Sequence, residues 1–113
     1  MDTSHAWIEQ RTGIVSRFYE DGSNLNMAYH ASINALKDID LESIDGIIVG
    51  TYTPDNLIPG VAASLRHKLG ITRNVYAFDV NAACSGFIFA LHTAYAYIKS
   101  GMSKRILVVG VDY

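Results

Sequence analysis

Residues 79–90 read D-V-N-A-A-C-S-G-F-I-F-A and hold Cys84, the single cysteine of the chain. A thiol placed where a strand turns into a helix lies near unpaired backbone N–H groups and the positive end of the helix dipole, a setting that favours thiolate over thiol. Cysteines at helix N-termini can have pKa values lowered to roughly 3.5–7.5, and the thiolate is the attacking species in acyl transfer. The neighbours Ala82, Ala83, Ser85 and Gly86 are small enough to let a substrate carbonyl approach. The same residues have a blander reading. A free cysteine is a small hydrophobe, and Cys84 also suits the filling of a gap at a strand end. Spacing alone leaves nucleophile and filler both open.

Composition narrows the other chemistry. The chain has 113 residues, half of them hydrophobic, which suffices for one domain with a core. Nine Lys+Arg against eleven Asp+Glu give a net charge of -2, and no basic run exceeds Lys104-Arg105, so nothing points to a phosphate-backbone binder. One cysteine rules out an internal disulfide and any cysteine-rich zinc site, and no metal site is expected. A free thiol suits a reducing compartment, with cytoplasm the expectation. The opening stretch contains Asp2, His5, Glu9, Gln10 and Arg11, which does not read as a signal-peptide core. No apolar run approaches the roughly 20 residues needed to span a bilayer, so neither membrane nor nucleic acid is expected as a partner.

The elements that would position Cys84 follow from periodicity. After an irregular opening, Leu25, Ala28, Tyr29, Ile33 and Leu36 recur at helical spacing and predict a helix over 24–37. Ile47-Ile48-Val49-Gly50 is short and wholly apolar, as expected of a strand buried on both faces. Pro59 suits a first helical turn, the helix runs to Leu69, and Gly70 stops it. A strand over 75–80, a helix over 85–100 ended by Gly101, and a strand over 106–111 complete the pattern. Helices alternating with apolar strands predict an α/β fold with both sheet faces covered. In the last helix, Phe87, Ile88, Phe89, Leu91, Ala94, Tyr95, Tyr97 and Ile98 occupy most of the circumference, so burial nearly all round is expected.

Two blocks carry a family resemblance. T-S-H-A-W-I-E-Q-R-T-G-I at 3–14 and F-D-V-N-A-A-C-S-G-F at 78–87 resemble β-ketoacyl-acyl-carrier-protein synthase III, a thiolase-like condensing enzyme. The likeness continues through Gly50-Thr51, Ile58-Pro59, Leu69-Gly70-Ile71 and Val108-Val109-Gly110-Val111-Asp112. It implies a partial thiolase-like domain, layered helix/sheet/helix around a buried central helix. It implies a transferase in which Cys84 takes the acyl group from acyl-coenzyme A, before decarboxylative condensation with malonyl-acyl-carrier protein in fatty acid or related biosynthesis. Trp7 and Arg11, with Thr3 nearby, would hold the adenine and phosphate region of coenzyme A, which is substrate and not cofactor. An indole face stacks on a flat base, and a guanidinium offers phosphate a permanently charged donor fork. Ile58 and Phe87 would border the acyl pocket, Ile58 by reaching across a homodimer whose 75–80 strands pair.

The chain departs from the family in extent. Members are longer, built as two similar halves, and take a catalytic histidine and asparagine from the second half. His5, His30, His67 and His92 do not fall in that motif. The expectation is a single partial N-terminal domain over 1–113, lacking the family's first strand and its second half, with Met1 an internal start or the chain a piece of a longer frame. Uncovered apolar faces on the 85–100 helix and the 106–111 strand should follow. The competing expectations are an inert segment that acts only by association and, more remotely, a small cysteine-dependent acyl hydrolase.

Overall fold

The computed structural model describes residues 3–20 and 22–113. Met1, on which the expectation of an internal start falls, lies outside the described residues, as do Asp2 and Asp21.

The apolar runs form three strands, β1 (Gly46–Gly50), β2 (Tyr76–Val80) and β3 (Ile106–Gly110), all parallel in the order β2-β1-β3. Four helices accompany them among the described residues: α1 (His5–Thr12), α2 (Asn24–Ala35), α3 (Val61–Leu69) and α4 (Gly86–Lys99). The chain moves one way from β1 to β2 through α3, then returns past β1 to β3 through α4. Parallel crossovers share one hand, so a reversal of direction must put the two helices on opposite faces. Ile47 and Val49 point to the α2/α3 side, where they join Ala28, Val61, Leu65, Leu107 and Val109 in the larger core. Ile48 points the other way and meets Ala90 and Ala94 of α4. Central β1 is buried throughout, which is why its sequence does not alternate.

Boundaries shift by a residue or two, and three expectations change more. The opening is not wholly irregular. Residues 5–12 form α1, with the Ser4 hydroxyl accepting from the Trp7 N–H and Gly13 closing the helix at φ 71°. None of its residues is buried, so the periodicity that marks a core helix was missing. Pro59 does not occupy the first turn of α3; Gly60 is the N-cap and the helix begins at Val61. The cap comes from β2, where the Asp79 carboxylate accepts the Val61 and Ala62 N–H groups at 2.8 and 2.7 Å.

The third change concerns α4. The layered arrangement is present, but α4 is not buried all round: only Gly86, Ala90 and Ala94 are buried. Phe87, Ile88, Phe89, Leu91, Tyr95 and Ile98 are each 44–62% exposed. Tyr97 of α4 packs edge-on against Tyr76 and tilted against Phe78 on β2, and the Tyr76 hydroxyl meets that of Ser103 at 2.7 Å. The outer apolar face of α4 is open among the described residues. Gly70 and Gly101 end their helices in the left-handed region, at φ 77° and 78°.

Candidate functional site

Between β2 and α4 the chain makes a single 3-10 turn, Ala83–Ser85, and Cys84 stands in its middle with its thiol exposed. The helix proper starts two residues later than the thiol, so Cys84 tops the approach to α4. Ala83 adopts φ 47°. An L-residue in that region costs about 1–2 kcal/mol, and such strain persists where the surrounding structure enforces it.

The enforcement is visible at two glycines. A Cβ on Gly50 would lie 2.5 Å from the carbonyl carbon of Gly86, so the first turn of α4 rests backbone to backbone on the end of β1. Gly110 also approaches α4 closely, a Cβ there falling 3.0 Å from the Phe87 side chain. Around this contact opens a recess of about 420 Å³ lined by Cys84, Phe87, Gly50, Gly110, Val111 and Asp112 among others. It lies at the carboxyl ends of parallel strands, where open α/β sheets place their ligands.

A polar cluster ties the three strand ends together. Oδ1 of Asp112 accepts from the Thr51 hydroxyl (3.1 Å), the Tyr52 N–H (2.8 Å) and the Thr53 hydroxyl (3.2 Å). Buried Asn24 donates through Nδ2 to the Thr51 hydroxyl at 3.1 Å and the Thr53 carbonyl at 3.0 Å. The Thr51 N–H donates to the Val80 carbonyl at 3.1 Å, and the Val111 N–H to that of Gly50 at the same distance. Asp55 then caps α2, accepting from the Asn24 and Leu25 N–H groups.

The remaining sequence-derived residues lie apart. Trp7 and Arg11 come together on α1, the guanidinium carbon 4.6 Å from the indole centroid, and exposed Thr3 precedes the Ser4 cap. Neither Trp7 nor Arg11 lines the Cys84 recess. Ile58 sits in the loop between β1 and α3, is 91% exposed, and does not line the recess, whereas Phe87 does. No histidine lines it either: His5 pairs with Glu9 at 3.4 Å, His30 lies edge-on to Tyr29, and His92 edge-on to Phe89. Sequence reasoning passed over Asp79, Asp112 and Asn24. The first two carried a signal, a lone acid inside or just after an apolar strand.

Parallel strands between helices, with the cysteine turn at their carboxyl ends, put the chain in the thiolase-like class of α/β folds. The family described as 3-oxoacyl-[acyl-carrier-protein (ACP)] synthase III matches residues 78–113. β-Ketoacyl-[acyl-carrier-protein] synthase III of Neisseria gonorrhoeae is 47% identical over 99% of this chain and 36% of its own length. The same-named protein of Fusobacterium nucleatum is 42% identical over 99% of this chain and 35% of its own length. Among solved structures, 3-oxoacyl-[acyl-carrier-protein] synthase III from Aquifex aeolicus superposes with a TM-score of 0.85 at 42% identity, covering 97% of this chain and 36% of that one. In sequence and fold the chain is thus similar to β-ketoacyl-[acyl-carrier-protein] synthase III, and it spans about a third of the length of the curated relatives it matches.

Proposed function

We propose that this chain carries the acyl-accepting cysteine of a β-ketoacyl-acyl-carrier-protein synthase III. The observation that carries the reading is the exposed Cys84 on a strained turn, seated by backbone contact at the carboxyl ends of the sheet. The Cys84 thiolate attacks the thioester carbonyl of acyl-coenzyme A. The tetrahedral adduct collapses with cleavage of the bond to coenzyme A sulfur, leaving an acyl thioester on Cys84 and a coenzyme A thiolate that takes a proton from solvent. The Cys84 backbone N–H is one candidate donor to the oxyanion. Decarboxylative condensation with malonyl-acyl-carrier protein needs donors to the developing enolate, for which the recess holds no histidine; losing one such donor typically costs about 10²–10³ in rate. Condensation by these residues alone is therefore expected to be undetectable.

Trp7, Arg11 and Thr3 are proposed to hold the coenzyme A nucleotide; the Arg11 guanidinium already stacks over one face of the Trp7 indole, which brings the cation and the aromatic ring together. Ile58 and Phe87 are proposed as acyl-pocket residues. Pairing of β2 with its copy in a homodimer would bring the exposed Ile58 loop toward a neighbouring recess. A single partial domain acting in the cytoplasm completes the proposal. Acetyl-coenzyme A should add one acetyl group to Cys84 at neutral pH, read by intact-mass spectrometry, and Cys84→Ala should abolish the adduct. A wild-type chain that stays unmodified, with a thiol no faster toward iodoacetamide than free cysteine, defeats the proposal.

A second reading has its own support. The open outer face of α4 favours a segment that acts by association alone. Sedimentation distinguishes the two, because association without acylation of Cys84 is the outcome that this reading requires.

A further inference from the structure

We infer that Asp112 is a positioning residue for the Cys84 reaction, setting the geometry of the thiol through Thr51; this rests on the acyl-transfer reading above. Asp112 belongs to the recess and to the polar cluster at once. All three of its hydrogen bonds reach Oδ1, from two hydroxyls and one N–H on consecutive residues, 51 to 53. That single oxygen therefore orients the first turn of chain after β1. Thr51 passes the constraint on, since its N–H holds the Val80 carbonyl, the last residue of β2. Only Asn81, Ala82 and the strained Ala83 separate Val80 from Cys84.

Thr51 is 3% exposed, and Asn24 locks its hydroxyl from the opposite side. The orientation of Thr51 thus depends on two partners, one of which opens onto the recess. A turn held in the left-handed region by its surroundings relaxes when those surroundings loosen. Misplacement of a reacting group by about 1 Å can cost on the order of 10²-fold in rate. Asp112 touches no reacting atom; it acts through Thr51.

Because the bonds all use Oδ1, an asparagine at 112 keeps an acceptor in place while an alanine removes it. The test compares wild type, Asp112→Asn and Asp112→Ala in two reactions of Cys84, acylation by acetyl-coenzyme A and alkylation by iodoacetamide. Hydrogen exchange at the Tyr52 amide provides a third readout. Asp112→Ala should acylate about ten-fold or more slowly, alkylate within about two-fold of wild type, and exchange the Tyr52 amide at least about ten-fold faster. Asp112→Asn should restore most of the acylation. Normal acylation in Asp112→Ala, an Asp112→Asn as slow as the alanine variant, or a parallel fall in alkylation each overturns the assignment. A wild type that accepts no acyl group defeats the functional reading alone. Asp112 is then judged by the Tyr52 amide, and unchanged exchange in Asp112→Ala overturns its role.

Discussion

The two faces of one sheet are finished to different degrees. On the α2/α3 side, Ile44, Ile47, Val49, Leu65 and Ala28 are almost wholly shielded, and both helices have their first N–H groups capped by carboxylates from elsewhere in the chain. On the α4 side, one strand residue and two alanines form the buried centre, and the helix shows a row of large apolar side chains outward. The first face is a completed core. The second has a much smaller buried centre, and it is the face covered by the helix that follows the Cys84 turn. The larger buried core and the helix that follows the Cys84 turn thus lie on opposite sides of β1.

Substitutions can break or sharpen that contrast. The largest effect belongs to the closed face: Leu65→Ala, at a site with no exposure, should destabilise by about 2–5 kcal/mol, read as a drop in the urea midpoint. Next is Asp79→Ala, which removes the α3 cap and should cost about 0.5–2 kcal/mol by the same measurement.

Asp45 sits at the opposite end of the sheet, where its carboxylate accepts from the Lys104 and Arg105 N–H groups and pairs with Arg73 at 3.2 Å. Those two backbone hydrogen bonds, followed by the Arg73 interactions, hold its pKa below the usual 3.8. The folded state thus binds the proton less readily than the unfolded chain. The stabilisation is full above the unfolded value near 3.8 and is lost as pH falls from there through the lower folded value. Urea midpoints measured between about pH 6 and 2.5 should show this acid loss in wild type and a shallower one in Asp45→Asn.

The smallest effect belongs to the open face. Leu91→Gln on the outside of α4 should shift stability by no more than about 0.5 kcal/mol, checked by thermal melting. A loss there as large as that of Leu65→Ala would mean that the two faces are equally complete, and the contrast would fall.

The strands and the core helices were legible because each buries a stripe, and burial writes itself as periodicity. The α1 helix buries nothing, so only its Ser4 cap and Gly13 stop announced it. For α4 the sequence reports which side chains would be buried if a neighbour were present, not whether one is; Phe89 and Leu91 look like core by type and are about half exposed in fact. The position of Cys84 at the start of α4 was readable from strand, small residues and helix in order. The left-handed φ of Ala83 was not, since the turn it belongs to is held by contacts distant in sequence, among them the approach of Gly50 to Gly86 across 36 positions of chain. Asp79 and Asp112 escaped for a related reason: their partners lie 17–18 and 59–61 residues away, beyond any local pattern.

The contact between Gly50 and Gly86 also governs what redesign can reach. Because main chain meets main chain there, the sulfur is anchored by atoms that every sequence shares. Exchanging the side chains around the recess would recolour its walls and leave that sulfur where it is. One methyl group at position 50 would lift the helix from its seat and carry the sulfur with it.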